Sequence, residues 1–277
     1  MTFIFDTGSA WTWIPSEDCS DKECTKNHYQ YHKSEGFRNT YQKEKVVYGI
    51  GEISGYVVND DIAIAPSTKY MATDVNFLSV NKAKDLSTLE SDGLMGLSPK
   101  SKRSKKGKSG EEMHLLVNEL KKDGIIKEAV FAIYLTDTRG QSTMQFGGYD
   151  PEIVLDSMKE NGKDDASISD APDGIYWMSI NSDVHWQVMI YDAKIGNITL
   201  QLTVDDVIFD TGSSLNYMPS KEYQTFYKEI TREHYCWTDK KDKLLYCSCN
   251  GQDDDTFPAL SMHLGSRKSA HWFYLKG

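Results

Sequence analysis

The sequence IFDTGS occurs twice in this chain, at residues 4–9 and again at residues 208–213. Each copy follows an apolar run and continues into a segment that closes on Pro-Ser, so residues 4–16 and 208–220 share one pattern. An apolar run of this kind predicts a buried strand, and the acid ends it. The chain is therefore predicted to place one aspartate at the end of a buried strand in each half, namely Asp6 and Asp210.

A buried carboxylate is costly unless it is hydrogen-bonded or shares a proton, so two acids in matched settings are predicted to lie together. Such a pair holds one proton, and one acid can polarise a water molecule while the other protonates a carbonyl. The adjacent glycines and hydroxyls are predicted to support this catalytic pair: Thr7, Gly8, Ser9, Thr211, Gly212 and Ser213. The alternative is that Asp6 and Asp210 are structural turn residues, each capping its own loop.

The doubled DTGS motif, with Ile-Phe before it and Pro-Ser after it, resembles the pepsin-like aspartic proteases, the family of pepsin and cathepsin D. The resemblance implies an all-β, bilobal fold with a few short helices and an active-site cleft between the lobes. It assigns residues 1–155 to a first lobe and residues 156–277 to a second. The implied protein is a monomeric aspartic endopeptidase that hydrolyses polypeptides at acidic pH and needs neither a metal nor a cofactor.

A glycine-rich, alternating stretch at residues 46–64 predicts a β-hairpin. On pattern alone, a plain surface hairpin is an equal alternative. The resemblance makes it the flap that closes over the substrate, in which Tyr48 hydrogen-bonds towards Trp13. Ile50 departs from the small polar residue usual in the family, which leaves the detailed bonding of the flap open. The same resemblance adds Gly49, Gly51, Ile4 and Leu94 to the flap and substrate-binding set. Composition alone places Ile4 and Leu94 in the core.

The rest of the chain predicts strands and short helices around these motifs. The resemblance places the segment DGLMGL, residues 92–97, beside the first acidic loop. The cationic stretch at residues 99–110 is predicted to be a solvated loop, with a proteolytic processing site as the alternative. Residues 156–174 are predicted to form a polar loop. Helices are predicted at residues 111–122 and 220–233, and strands at residues 130–135, 143–146, 175–180, 186–195 and 257–264.

Five cysteines favour an oxidising compartment. The loop between Cys19 and Cys24 resembles the first small disulfide loop of the family. Cys236 is predicted to pair with Cys247 or Cys249, since the latter two lie too close in sequence to pair with each other. Zinc binding by Cys19, Cys24 and two nearby histidines is an alternative, which the short spacing between the ligand pairs disfavours.

Other features bear on compartment and partners. An N-glycosylation acceptor at Asn197 and the cysteines favour a secreted or lysosomal/vacuolar protein. The net charge of −10 argues against a nucleic-acid partner, and no apolar run is long enough to span a membrane. Met1 lies close to the first motif, and no equivalent of DGLMGL, which the resemblance places beside each acidic loop, follows the second motif. We therefore expect the chain to be a fragment truncated at both ends.

Other hydrolytic chemistries lack their motifs. The sequence contains no HExxH, no GxSxG and no phosphate-binding loop. A phosphoryl-transfer enzyme with an aspartate nucleophile would need a second acid where Gly8 and Gly212 stand. A non-catalytic peptide-binding protein of the same fold remains the second hypothesis.

Overall fold

The protein is described by a computed structural model at residues 1–20, 22, 24, 27–49, 51–87, 89–99, 115–136, 138, 140–160, 162–241, 244–248, 257–266 and 269–275. The predictions for Ile50, for Cys249, for the cationic residues 100–110 and for the start of the helix at residues 111–122 lie outside this part of the chain.

The described residues divide into two compact units. The first contains Met1–Ile175, Asp183–Trp186 and Phe209–Gly212, and the second contains Tyr176–Ser182, Gln187–Ile208 and Ser213–Gly277. The predicted lobe boundary after residue 155 lies inside a helix of the first unit, and it stays a prediction.

The first unit is mostly β-structure. Its strands are β1 (Phe3–Asp6), β2 (Trp13–Pro15), β3 (Arg38–Val47), β4 (Glu52–Ala63), β5 (Met71–Lys84), β6 (Gly93–Gly96), β7 (Phe131–Tyr134) and β8 (Thr143–Phe146). Its helices are α1 (Leu116–Lys122) and α2 (Pro151–Glu160), with short 3-10 turns at Tyr31–Lys33, Thr68–Tyr70 and Ile168–Gly174.

The main sheet of this unit has the strand order β1-β6-β2-β5-β4-β3. Strands β3 and β4 form the predicted hairpin, and β6 lies between β1 and β2. One core cluster packs Met95 and Leu97, at the end of β6, against Leu116 and Leu120 of α1. The stripe of apolar residues that predicted α1 therefore faces the sheet that carries the first motif.

The second unit has its own sheet and core. Its elements are β9 (Gln187–Ile195), β10 (Ile198–Thr199), β11 (Asp206–Ile208), α3 (Ser220–Ile230), β12 (Cys236–Thr238), β13 (Leu245–Cys247), β14 (Leu260–Leu264) and β15 (His271–Leu275). The sheet has the order β10-β9-β14-β15, with β11 also paired to β9, while β12 and β13 form a separate ribbon. A cluster that includes Val188, Ile195, Ile230 and Leu264 fills its interior.

These elements confirm the predicted all-β class with a few short helices, but three local predictions were wrong. Residues 156–160 continue α2, because Val154 and Met158, one helical turn apart, pack against Gly174. Residues 175–180 form no strand; the Tyr176 ring instead packs on His271, at 4.1 Å between centroids. Helix α3 ends at Ile230. None of the described helices is long and apolar enough to cross a membrane.

Candidate active site

The first acidic loop is held by a strand that runs beside it. Strand β1 pairs in parallel with β6, so that Asp6 lies opposite Gly96. The Leu97 N–H donates to the Asp6 carbonyl at 2.8 Å. A Cβ on Gly96 would come within 2.4 Å of the Ala10 carbonyl carbon, so the close passage of β6 requires glycine. The carboxyl group of Asp6 is buried in consequence, with the residue only 5% exposed.

The second acidic loop is more exposed than the first. It follows β11, which pairs with β9 in the second unit, and the chain then enters the first unit at Phe209. Asp210 is partly exposed and accepts a hydrogen bond from the Gly212 N–H at 2.8 Å. Ser213 is exposed and belongs to the second unit.

Reciprocal hydrogen bonds join the two loops within the first unit. The Thr7 hydroxyl donates to the Phe209 carbonyl at 2.8 Å and accepts from the Thr211 N–H at 3.0 Å. The Thr211 hydroxyl donates to the Phe5 carbonyl at 2.5 Å and accepts from the Thr7 N–H at 3.2 Å. The two DTGS copies therefore form a two-fold symmetric set of bonds.

The glycine of each motif makes room for the acid of the other. A Cβ on Gly8 would lie 2.5 Å from the Asp210 carboxyl carbon. A Cβ on Gly212 would lie 2.4 Å from the Asp6 Oδ1 atom. The structure thus brings Asp6 and Asp210 together, in the arrangement that a shared proton requires.

Asp6 receives two hydrogen bonds from its own loop, one from the Gly8 N–H at 2.9 Å and one from the Ser9 hydroxyl. These bonds favour the ionised form, yet the pKa of Asp6 is raised above its ordinary value. The main cause is burial, and the negative charge and hydrogen bond of Asp210 add to it. Asp210 therefore acts on the protonation of Asp6 through both its charge and a hydrogen bond.

The hairpin residue Tyr48 lies near this pair. Its ring packs against that of Trp13 at 6.4 Å between centroids. The Tyr48 hydroxyl and the Trp13 indole N–H are both buried, and neither makes a hydrogen bond of ordinary geometry among the described residues. The Trp13 side chain nevertheless lies close enough to lower the pKa of the Tyr48 hydroxyl, so the expected hydrogen bond between them stays a prediction. Burial and the charge of Asp6 raise the pKa of the Tyr48 hydroxyl, although Trp13 and Ser9 act in the opposite direction.

The other predicted pocket residues lie around the same sheet. Ile4 of β1 pairs with Leu94 of β6. Leu94 is 6% exposed and belongs to an apolar cluster with Trp13, while Tyr48 packs on the outside of that cluster. Gly51 belongs to the hairpin turn, where its carbonyl accepts from the Tyr48 N–H at 2.7 Å. A Cβ on Gly49 would meet nothing within 4 Å.

The four cysteines that the structure describes form two disulfides, Cys19–Cys24 and Cys236–Cys247. Zinc needs thiolate ligands, so the first pairing disfavours the zinc alternative. Cys247 is the member of the predicted Cys247 or Cys249 choice that faces Cys236 across β12 and β13. Asn197 is exposed, in the turn between β9 and β10.

Sequence reasoning missed Trp186 and did not explain Asp92. The Trp186 indole N–H donates to the Leu97 carbonyl at 2.7 Å, behind the first acidic loop. Asp92, which is buried, accepts hydrogen bonds from the Thr2 and Asn27 main-chain N–H groups at 2.6 and 3.0 Å. Burial acts to raise the pKa of Asp92, but these bonds lower it overall. A lone tryptophan at the start of a predicted strand does not indicate a bond like that of Trp186 to Leu97.

Comparison with known proteins gives a consistent result. The model of the family "Eukaryotic aspartyl protease" matches residues 1–269. Pepsin A of Gallus gallus is 27% identical over 244 residues, which are 83% of this chain and 57% of that protein. Plasmepsin IV of Plasmodium falciparum is 26% identical over 272 residues, 96% of this chain and 52% of that protein. A pregnancy-associated glycoprotein of Equus caballus is 29% identical over 218 residues, 76% of this chain and 49% of that protein. The chain spans about half the length of the curated relatives it matches.

Proposed function

The chain belongs to the eukaryotic aspartyl protease family, and we propose that it is an aspartic endopeptidase in which Asp6 and Asp210 are the catalytic residues. The observation that carries the proposal is the reciprocal clearance of the two motifs, in which Gly8 leaves room for the Asp210 carboxyl group and Gly212 for that of Asp6. A pair of turn aspartates that each capped only its own loop would not need this clearance.

The proposed reaction is general acid–base hydrolysis of a peptide bond. The coupled pair holds one proton, so one carboxylate accepts a proton from an attacking water molecule. The protonated partner donates to the carbonyl oxygen of the scissile bond, and the amine leaves after a second proton transfer. Thr7 and Thr211 fix the two loops relative to each other, while Gly8, Ser9 and Gly212 supply hydrogen bonds or space to the acids. This chemistry requires one protonated acid, which supports activity at acidic pH.

The substrate-binding set follows from the same hairpin and sheet. Tyr48, with Gly49 and Gly51 beside it, is proposed to cover the substrate. Trp13, Ile4 and Leu94 are proposed to form an apolar wall near the residue before the scissile bond. Their apolar character supports cleavage between apolar residues of a polypeptide.

Two disulfides and an exposed acceptor at Asn197 support a secreted or lysosomal/vacuolar compartment. We propose a two-lobed monomer, with the first lobe at residues 1–155 and the second at residues 156–277.

The test is cleavage of an unfolded polypeptide at acidic pH by the parent protein and by Asp6→Asn and Asp210→Asn. Each variant is expected to lose activity by about 10⁴-fold or more, because neither can hold the shared proton. Asp85→Asn is the matched control, since this exposed aspartate directly follows β5 and its φ of 59° suits asparagine. Parent-like cleavage by Asp6→Asn or Asp210→Asn would show that the pair is not catalytic.

The non-catalytic alternative gains some support from the partial exposure of Asp210. Calorimetric titration with a statine-type peptide, which mimics the tetrahedral intermediate, separates the two functions. An endopeptidase binds this mimic and cleaves the polypeptide, whereas a peptide-binding protein shows binding without turnover.

A further inference from the structure

A circuit of hydrogen bonds joins the two acidic loops through Trp186. The indole Nε1–H donates to the Leu97 carbonyl at 2.7 Å, and the Leu97 N–H donates to the Asp6 carbonyl at 2.8 Å. On its other side, the Trp186 carbonyl accepts from the Phe209 N–H at 2.9 Å. The Phe209 carbonyl accepts from the Thr7 hydroxyl at 2.8 Å. Since Thr7 follows Asp6 directly, the circuit closes on the first acid.

This circuit shares the Thr7–Phe209 bond with the reciprocal bonds of the two threonines and adds three bonds that pass through Trp186 and Leu97. It passes through Leu97, which directly follows the strand that runs beside β1, and it reaches the residue before Asp210. Leu97 is only 2% exposed, so the loss of its donor would leave a buried carbonyl unsatisfied. The Trp186 ring also makes an edge-on contact with Phe131, at 5.5 Å between centroids.

Trp186 therefore bonds to both sides of the site with different parts of one residue. Its side chain bonds to Leu97, which in turn bonds to the buried Asp6, and its main chain bonds to Phe209, which is 46% exposed. We propose that Trp186 is a positioning residue that sets the separation of the Asp6 and Asp210 carboxyl groups, a role that rests on the proposed endopeptidase function. This role depends on the hydrogen of the Trp186 indole nitrogen, which makes the bond to the Leu97 carbonyl.

The test removes the indole N–H of Trp186 and keeps the size and shape of its ring. Site-specific incorporation of 3-benzothienylalanine at position 186 keeps the bicyclic ring but exchanges the N–H for sulfur. The same substitution at Trp177, which is 75% exposed and belongs to the second unit, controls for the incorporation. Phe131→Leu removes the ring contact of Trp186 but keeps the N–H. 5-Fluorotryptophan at position 186 retains the donor and serves as the conservative rescue.

The benzothienyl variant at position 186 is expected to lose about tenfold in kcat with KM within about twofold, because small misplacements of catalytic groups act on the chemical step. Its pH–rate profile is expected to narrow, because the two apparent pKa values of the pair lie closer together when the carboxyl groups move apart. The Trp177 control, Phe131→Leu and the fluorinated rescue are expected to keep the parent's kcat and profile width. A merely structural role would lower the melting temperature in the Phe131 and position-186 variants alike without moving the profile.

A second readout does not depend on turnover. The Asp6 carboxyl group can be titrated by 13C NMR in the parent and in the benzothienyl variant. Its pKa is expected to fall in the variant, because the Asp210 carboxylate, which raises it, recedes. Tyr48, the other titratable group near Asp6, stays neutral over this range. If the benzothienyl variant does not fold, Trp186→Phe is titrated in its place.

An unchanged Asp6 pKa with unchanged kcat would overturn the role of Trp186 while leaving the endopeptidase proposal intact, provided that Asp6→Asn still abolishes cleavage. If the parent itself cleaves nothing, the endopeptidase proposal fails. In that case the Asp6 titration alone decides: a lower pKa in the variant supports the positioning role, and an unchanged pKa contradicts it.

Discussion

Asp6 is 5% exposed and ends a strand that pairs with β6, whereas Asp210 is partly exposed and follows a strand that pairs only with β9 among the described residues. The bond from the glycine of each motif is nevertheless the same. The Gly8 N–H donates to Asp6 at 2.9 Å, and the Gly212 N–H donates to Asp210 at 2.8 Å. One short sequence therefore determines the loop and its internal hydrogen bonds, while the burial of the acid depends on strands supplied from elsewhere in the chain.

The largest expected effect concerns the room that the glycine of each motif leaves for the carboxyl group of the other. In Gly8→Ala the new methyl group would overlap the Asp210 carboxyl group, and in Gly212→Ala it would overlap that of Asp6. Each variant is expected to lose about 100-fold in kcat/KM, because the carboxyl groups must separate. Gly148→Ala is the control, since a Cβ there would meet nothing within 4 Å. Parent-like activity in Gly8→Ala and Gly212→Ala would mean that the acids do not work at this separation.

The second prediction concerns stability and separates the two threonines. Thr7 is buried and Thr211 is exposed, although their bonds are equivalent. Thr7→Val is expected to lower the free energy of unfolding by about 2 kcal/mol, since water does not reach the buried Thr7 side chain to replace its hydrogen bonds. Thr211→Val is expected to lower it by about 1 kcal/mol or less, since water can replace the bonds of the exposed Thr211. Urea unfolding at one pH measures both. Equal losses would show that the surroundings of the two loops are energetically alike.

The third prediction uses the raised pKa of Asp6. Between the ordinary value of 3.8 and the raised native value, the folded protein binds more protons at Asp6 than the unfolded chain does. This contribution to stability is fully present below pH 3.8 and is lost as the pH rises through the native pKa. Asp6→Asn is therefore expected to gain stability relative to the parent as the pH increases over this window. Thermal unfolding of both proteins from acidic to neutral pH measures the difference, and a constant difference would contradict the assigned direction.

The smallest expected effect lies at the hairpin beside the first loop. The Tyr48 hydroxyl is buried and makes no hydrogen bond of ordinary geometry among the described residues, so Tyr48→Phe is expected to leave the free energy of unfolding unchanged or raise it by up to about 1 kcal/mol. Tyr29→Phe is the matched comparison, because the Tyr29 hydroxyl donates to the buried Asp60 carboxylate. It is expected to cost about 1–3 kcal/mol. A comparable loss in Tyr48→Phe would show that its hydroxyl has a partner.

The sequence predicted those parts of the molecule whose cause is local. The doubled motif indicated two equivalent acidic loops and the all-β class, and glycine-rich alternation indicated the β3–β4 hairpin. Contacts between segments that lie far apart in the chain could not be predicted from the sequence. The Trp186 bond to Leu97 joins residues far apart in the chain, and neither residue type indicates the other. Helix α2 was missed because its apolar residues cluster at residues 153–155 and only Met158 follows them within a polar segment.

The central claim is that these unequal loops carry one coupled pair of acids. It is tested most directly by 13C NMR titration of the Asp6 carboxyl group in the parent and in Asp210→Asn. The charge and hydrogen bond of Asp210 both raise the pKa of Asp6, so this pKa is expected to fall towards its ordinary value in Asp210→Asn while cleavage of an unfolded polypeptide is lost. An Asp6 pKa that stays the same in both proteins would contradict the claim.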